Sequence, residues 1–116
     1  MSITRIKPGP RMSKAVIHGN TVYLAGNVAN DFSGDVAEQT RQTLANIDST
    51  LAEAGTDKSN LLSAQVWVTH MSSFAEMNEV WDAWVSPGNT PARACVEARL
   101  ARPSILVEIM VIAAIP

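Results

Sequence analysis

The sequence predicts a single α+β domain in which a mixed β-sheet packs against two helices. Two segments have apolar residues at the three- and four-residue spacing of amphipathic helices, and the segments around them have β-strand character. The 116 residues, 47% of them hydrophobic, are enough for one compact core and too few for two. Residues 1–116 are therefore predicted to form one domain with the element order β-β-α-β-α-β-β.

The chain begins with a predicted β-hairpin. Strands over Ala15–Ile17 and Thr21–Ala25 flank the turn-forming segment His18-Gly19-Asn20. Pro8-Gly9-Pro10 interrupts the chain before this hairpin, and Ile3–Ile6 is a candidate extra first strand.

A long helix is predicted to follow the hairpin. Asp35 and Glu38 have the spacing of a capping box at its start, and Gly55 is placed to end it. The apolar side chains between these ends fall on one stripe, which consists of Leu44, Ile47, Leu51 and Ala54. This spacing is typical of a helix with one buried face.

The next strand and helix have equally regular patterns. Leu61–Thr69 is predicted to be a central strand, and one of its faces consists of Leu62, Ala64, Val66 and Val68. Ser73 and Glu76 repeat the capping-box spacing, and Pro87-Gly88-Asn89 ends the helix that they open. The apolar side of this helix consists of Phe74, Met77, Trp81 and Trp84.

Two further strands, Ala92–Leu100 and Ile105–Ile115, are predicted on either side of the turn Arg102-Pro103-Ser104. The last strand is apolar on both faces: Ile105, Val107, Ile109 and Val111 point one way, and Leu106, Met110 and Ile112 point the other. Two helices cover only one face of such a sheet, so the other face needs a cover that the chain does not supply. A partner subunit is the simplest cover, and a sheet that closes on itself into a barrel is the alternative.

The composition excludes several classes of function. The net charge is −2, and the nine basic residues are scattered singly, so we expect no nucleic-acid partner. No apolar run is long enough to cross a bilayer and the first residues do not resemble a signal peptide, so we expect a cytoplasmic protein. With Cys95 as the single cysteine and His18 and His70 as the only histidines, we expect no disulfide, no metal and no cofactor.

Arg93 is a candidate carboxylate-binding residue. Period-two alternation places it on one strand face with Cys95, Glu97 and Arg99, and the flanking alanines leave room for a ligand. Its planar guanidinium can donate two parallel hydrogen bonds to a carboxylate. The alternative is an ion pair with an acidic residue on the adjoining strand.

Glu108 is a candidate catalytic carboxylate inside the apolar run Leu106–Ile112. If the last two strands form an antiparallel hairpin, Glu108 is nearer in register to Glu97 or Ala98 than to Arg93, although Arg93 and Glu108 could still line opposite ends of one cleft. A carboxylate so placed could hold or polarise a water molecule. The alternative is a buried glutamate that is satisfied by the backbone of a partner chain.

Cys95 and the tryptophans have simpler interpretations. Neither histidine is near Cys95 in sequence and no helix N-terminus is placed to lower its pKa, so we interpret it as a small buried residue and not as a nucleophile. Trp67, Trp81 and Trp84 are predicted to be core or interface aromatics.

The segment Pro91-Ala92-Arg93-Ala94-Cys95-Val96, followed by Leu106-Val107-Glu108-Ile109, resembles the C-terminal signature of the Rid (YjgF/YER057c/UK114) family. The similarity also covers Val22–Asn27, Ala52–Gly55, Gln65–Val68 and Phe74–Trp81, in that order. Because these segments span nearly the whole chain, the protein is identified by resemblance as a member of that family.

The resemblance implies a chorismate-mutase-like fold, assembled as a homotrimer whose sheets form a central β-barrel with a cleft between each pair of subunits. It also implies that Arg93 binds the carboxylate of the substrate and that Glu108 helps to position the attacking water. The residues implied to line the same cleft are Gly26, Asn27, Asn78, Ala94 and Cys95.

The function implied by the resemblance is the hydrolysis of reactive enamine and imino acids, of the 2-iminobutanoate and 2-iminopropanoate type. The products are 2-oxo acids and ammonia, and the reaction needs no cofactor and protects other enzymes from damage. The alternative is a non-enzymatic member that binds small carboxylates or a protein partner.

The chain departs from the family pattern at one position. Many members have Gly-Pro-Tyr with a tyrosine that reaches the cleft, whereas this chain has Gly9-Pro10-Arg11. Arg11 either attracts a second carboxylate, which would favour imines of acidic amino acids, or is a solvated loop residue.

Overall fold

The computed structural model describes residues 1–116, which form six strands, two α-helices and two short 3₁₀ turns. In chain order the main elements are β1 (Ile3–Ile6), β2 (Ala15–His18), β3 (Thr21–Leu24), α1 (Val36–Ala54), β4 (Leu61–Val68), α2 (Phe74–Trp84), β5 (Ala92–Glu97) and β6 (Val107–Ala114). The predicted element order is confirmed, and Ile3–Ile6 is the additional first strand. Neither helix combines the length and apolar character that crossing a lipid bilayer requires.

The six strands form one mixed sheet in the order β1-β2-β3-β6-β4-β5. The predicted hairpin of β2 and β3 is confirmed. The hairpin considered for the last two strands is wrong, because β4 lies between them and pairs antiparallel with β6 and parallel with β5. Helix α2 provides the crossover that a parallel pair requires. Strand β5 ends at Glu97 and β6 begins at Val107, so the chain between them is longer than the predicted turn.

The core lies between the two helices and one face of the sheet. The predicted stripe on α1 is buried, with Leu44, Ile47, Leu51 and Ala54 each at most 8% exposed. These side chains belong to one cluster with inward-facing residues of β4 and β6, which include Ala64, Val66, Val68, Val107, Ile109 and Val111. The apolar face of α1 and the alternation along the central strands therefore produce a single core.

Both ends of α1 are capped. Asp35 accepts a hydrogen bond from the backbone N–H of Glu38 at 2.9 Å, as the capping box predicts. The reciprocal half of the box is absent, because the carboxylate of Glu38 accepts hydrogen bonds from Arg41 and Gln42 instead. Gly55 ends the helix with a φ of 87°, in the left-handed region that glycine adopts without steric cost.

Two local predictions are wrong. Ser73 makes no capping hydrogen bond with its side chain, because it is already in a helical conformation at the end of a 3₁₀ turn, so Ser73 and Glu76 do not form a capping box. Leu62 is not on the buried face of β4, because a bulge between Leu61 and Ser63 shifts the register there. Leu61 takes the buried position, and Leu62 is 50% exposed.

The second face of the sheet has no cover within the chain. Tyr23, Val96 and Met110 on this face are 45%, 43% and 38% exposed, and Trp67 and Ile112 beside them are half-buried. Strands β1 and β5 remain at the edges of an open sheet, so the alternative of a barrel closed within one chain is wrong. A contiguous apolar surface of this kind is typical of an interaction site.

A single buried amide, that of Gln39, connects α1 to two loops. The two hydrogens of its Nε2 are shared among the backbone carbonyls of Phe32 at 3.2 Å, Gly34 at 3.1 Å and Ser104 at 2.9 Å. Its Oε1 accepts from the backbone N–H of Leu106 at 2.9 Å. The side chain is fully buried. It therefore fixes both the segment before α1 and the segment that leads into β6.

Replacing Gln39 by leucine should lower the free energy of unfolding by about 2–4 kcal/mol, because four partly buried backbone groups lose their hydrogen-bond partner at once. Chemical denaturation at one fixed protein concentration measures this change. The matched control is Ala45→Leu, which introduces the same side chain at an exposed position of the same helix, and for which we expect a change within about 0.5 kcal/mol. Equal effects of the two substitutions would contradict the role of Gln39.

Candidate active site

Arg93 lies near the start of β5, and its side chain is on the helix-covered side of the sheet because it pairs with Ala64. Its guanidinium carbon is 5.0 Å from the centroid of the Trp81 ring and 5.9 Å from that of the Phe74 ring. Its Nη1 is 3.9 Å from the sulfur of Met77. The π faces of the rings attract the cation, so α2 holds the guanidinium in place without neutralising it.

No carboxylate of the chain pairs with Arg93. The ion pairs in the structure join Lys7 and Lys14 to Glu53, and Arg41 to Glu38. The alternative of an ion pair between Arg93 and an acid on the adjoining strand is therefore wrong. A half-buried guanidinium without an anionic partner retains its hydrogen-bond donors for a ligand.

Asn78 follows Met77, which contacts Arg93, on helix α2. The side-chain oxygen of Asn78 is buried and has no hydrogen-bond partner. Buried polar atoms without a partner are rare, and each one calls for a physical explanation.

Cys95 is on the same face of β5 as Arg93, is half-buried and packs against the core. Burial raises the pKa of the Cys95 thiol, and the positive charge of Arg93 offsets part of this effect. Since the thiolate is the reactive form, a thiol with a raised pKa is a weak nucleophile, in agreement with the interpretation of Cys95 as a packed residue. Ala94 points to the opposite face and is exposed.

Glu108 lies on the open face of the sheet, because it pairs with Trp67 of β4, three residues beyond the partner of Arg93. Its carboxylate rests against Gly26, where a Cβ atom would overlap Oε2 of Glu108. Only glycine leaves room for the carboxylate in this position.

The backbone next to Gly26 is fixed. Asn27 and Ile109 exchange two backbone hydrogen bonds, from Asn27 N–H to the carbonyl of Ile109 at 2.8 Å and from Ile109 N–H to the carbonyl of Asn27 at 2.9 Å. The side chain of Asn27 donates to the carbonyl of Ala25 at 3.0 Å. The segment that contacts Glu108 is therefore attached to the strand that carries Glu108.

Within one chain, the predicted site residues form two groups on opposite faces of the sheet. Arg93, Cys95 and Asn78 lie on the helix side, whereas Gly26, Asn27 and Glu108 lie together at the open side. The expectation that Arg93 and Glu108 line opposite ends of one cleft is therefore not met within a single chain. No group of three or more histidine, cysteine, aspartate or glutamate residues is arranged to hold a metal ion.

The exposed position of Arg11 agrees with one of its two predicted alternatives, whereas the surroundings of Arg93 were not predicted. Arg11 lies in an exposed loop and forms no ion pair, so its contact with a second substrate carboxylate stays a prediction. The contacts of Arg93 with Phe74, Met77 and Trp81 were not predicted. The sequence showed these three residues only as the apolar side of a helix, and nothing local indicated which strand would lie beneath that helix.

Comparison with known proteins identifies the family. The family model described as endoribonuclease L-PSP matches residues 2–115. A RutC family protein of Haemophilus ducreyi is 48% identical over 113 residues, which cover 97% of each chain. The crystal structure of a member of the YjgF protein family from Neisseria meningitidis is 48% identical and superposes with a TM-score of 0.97, over 100% of this chain and 97% of that one. A member of the YjgF/YER057c/UK114 family from Mycobacterium tuberculosis is 29% identical with a TM-score of 0.88, over 97% of this chain and 99% of that one. Sequence and fold agree along the full length, so the chain belongs to the YjgF/YER057c/UK114 family, which is also described as the endoribonuclease L-PSP family.

Proposed function

We propose that the protein is an imine deaminase that hydrolyses reactive enamine and imino acids, of the 2-iminobutanoate and 2-iminopropanoate type, to 2-oxo acids and ammonia. The observation that carries the proposal is the guanidinium of Arg93, which rests on the rings of Trp81 and Phe74 and has no carboxylate partner. The planar guanidinium can donate two parallel hydrogen bonds to the carboxylate group that every such substrate carries.

We further propose that the working form is a homotrimer in which the open sheet faces meet around a central barrel. Arg93 is on the edge strand β5, whereas Glu108 is on the open face in the middle of the sheet. A neighbouring copy that covers the open face can bring its own β5 edge to the Glu108 of the first copy. Each cleft would then receive Arg93 from one subunit and Glu108 with Gly26 from the next.

The proposed reaction is a hydrolysis in two steps. Arg93 binds the substrate carboxylate, and Glu108 accepts a proton from a water molecule whose oxygen forms a bond to the imine carbon. The nitrogen takes up a proton, which gives a carbinolamine. The carbinolamine nitrogen then takes up a second proton, which balances the proton that the hydroxyl group gives up as the new carbonyl forms. The carbon–nitrogen bond breaks, ammonia leaves with the bonding electron pair, and the 2-oxo acid remains.

This reaction needs little chemical machinery. The imine carbon is electrophilic, particularly when its nitrogen is protonated, so orientation of the imine next to a held water supplies much of the acceleration. The residues in the two groups provide a carboxylate clamp, a proton acceptor and fixed backbone polar groups. The hydrolysis changes no oxidation state and forms no carbanion, so the proposed reaction needs no cofactor.

We do not extend the endoribonuclease description of the family model to this chain. An RNA substrate is held chiefly through its phosphates, by a concentrated positive surface. Here the net charge is −2, and three of the nine basic residues, Lys7, Lys14 and Arg41, already pair with carboxylates.

Arg93→Ala should lower kcat/KM for imine hydrolysis by roughly two to three orders of magnitude, because two charge-assisted hydrogen bonds to the substrate carboxylate are lost. An amino-acid oxidase generates 2-iminopropanoate from alanine, and its decay is followed by trapping the remaining imine with semicarbazide. Arg93→Lys keeps the positive charge but cannot donate two parallel hydrogen bonds to the carboxylate, so we expect an intermediate rate. The control is Arg41→Ala, at an exposed arginine on α1, which should hydrolyse the imine at the wild-type rate. Binding of small carboxylates without any acceleration by the wild-type protein would favour a non-enzymatic role instead.

Gly26→Ala should abolish most of the deaminase activity while leaving the fold intact. The new methyl group would displace the end of a flexible side chain, the carboxylate of Glu108, and not backbone atoms. We therefore expect a loss of roughly 100-fold or more in kcat, similar to that of Glu108→Gln, with a change in unfolding free energy below about 1 kcal/mol. Rates and denaturation curves of the two variants measured side by side decide this. Full activity of Gly26→Ala would show that the carboxylate position is not needed.

A further inference from the structure

A second concave site lies beyond the end of β5, away from Arg93. It is a pocket of about 400 Å³ lined by Thr69, His70, Arg99, Leu100, Arg102 and Pro103. The strand from Arg93 to Glu97 separates it from the candidate active site by roughly 13 Å of extended chain. Its size is that of a pocket for a small molecule.

The pocket is lined by basic side chains and by no acidic ones. Arg99 and Arg102 form no ion pair, like the exposed Arg5 and Arg11, but unlike those two they line the same pocket. The neighbouring acid, Glu97, accepts a hydrogen bond from the backbone N–H of Met71 at 3.0 Å, so its carboxylate is engaged with the turn before α2. Folding thus gathers two guanidinium groups and an imidazole in one cavity without a counterion.

The backbone that carries these side chains is held from several directions. Ala98 N–H continues the β4–β5 pairing by donating to the carbonyl of Val68 at 2.9 Å, immediately before Arg99. Ile105 N–H donates to the carbonyl of Arg102 at 3.1 Å, and the side chain of Ile105 is 5% exposed in the core.

The opposite end of the same segment is attached to α1 and to β4. The amide of Gln39 binds the carbonyl of Ser104 and the N–H of Leu106, both at 2.9 Å. Thr69 N–H donates to the carbonyl of Leu106 at 3.2 Å, which joins the two walls of the pocket. The backbone on both sides of Arg99 and Arg102 is therefore anchored to the folded core, so a ligand would have to order only their side chains and not the loop.

We propose that Arg99, Arg102 and His70 form a binding site for the phosphate group of a small molecule. Two guanidinium forks match the charge and the oxygen geometry of a phosphate dianion, and the imidazole adds a further donor. Two of the six lining residues are arginines and none is acidic, so we expect charge to supply much of the free energy of phosphate binding. Binding should accordingly weaken as ionic strength rises.

The probe is inorganic phosphate, titrated into the full-length protein at constant ionic strength and followed by amide NMR spectra. We expect saturable shifts that are confined to residues 69–71 and 98–106, and a rise in the melting temperature at the same concentrations. Arg99→Gln together with Arg102→Gln should weaken phosphate binding about tenfold or more. Each single variant should have an intermediate effect, which keeps the test valid if the double variant folds poorly.

The matched control is Arg5→Gln, which removes an exposed arginine without an ion pair on β1, outside the pocket. Phosphate should bind to this variant as it binds to the wild type. The proposal is overturned if sodium chloride at equal ionic strength produces the same spectral shifts. It is also overturned if the arginine variants of the pocket respond to phosphate as the wild type does.

Discussion

The register of β4 with its two neighbours is the constraint on which the rest of the structure depends. It aligns Arg93 with Ala64 and Glu108 with Trp67, and because side chains alternate along a strand, this three-residue offset sends them to opposite faces. The guanidinium therefore meets the aromatic side chains of α2, whereas the carboxylate lies on the open face against Gly26. Arg93 and Glu108, which we propose to act on one substrate, therefore cannot meet within one chain. A second copy that covers the open face would join them and would bury the exposed apolar surface in the same step.

The environment of Arg93 explains how a cation can stay available for a ligand. A half-buried charge without a counterion is costly in free energy unless something else stabilises it. Here the faces of Trp81 and Phe74 do so, at about 0.5–2 kcal/mol for each cation–π contact, and the N–H donors remain free. Arg99 and Arg102 also lack a counterion, but both side chains are exposed, so water solvates their charges. A bound phosphate would displace this water.

Local sequence patterns predicted most helices and strands, but they could not predict which strands that are distant in sequence pair with each other. The hairpin of β2 and β3, the buried stripe of α1 and the cap at Gly55 each depend on residues close together in sequence. The position of β4 between β5 and β6 depends on a crossover, and the bulge that exposes Leu62 depends on its partner strand. The same holds at the site. The resemblance singled out Arg93 and Glu108 by their motifs, whereas the aromatic contacts of Arg93 and the bond from Gln39 to Leu106, 67 residues away, depend on the folded chain.

The central claim is that Arg93 and Glu108 act together only across two copies of the chain. The most direct test mixes two inactive variants, Arg93→Ala and Glu108→Gln, by unfolding them together and refolding the mixture. If neighbouring subunits supply the two residues, random mixing creates clefts in which both are intact, and about one quarter of the wild-type imine hydrolysis returns. If both residues served one chain, every site would lack one of them, and the refolded mixture would remain as inactive as either parent.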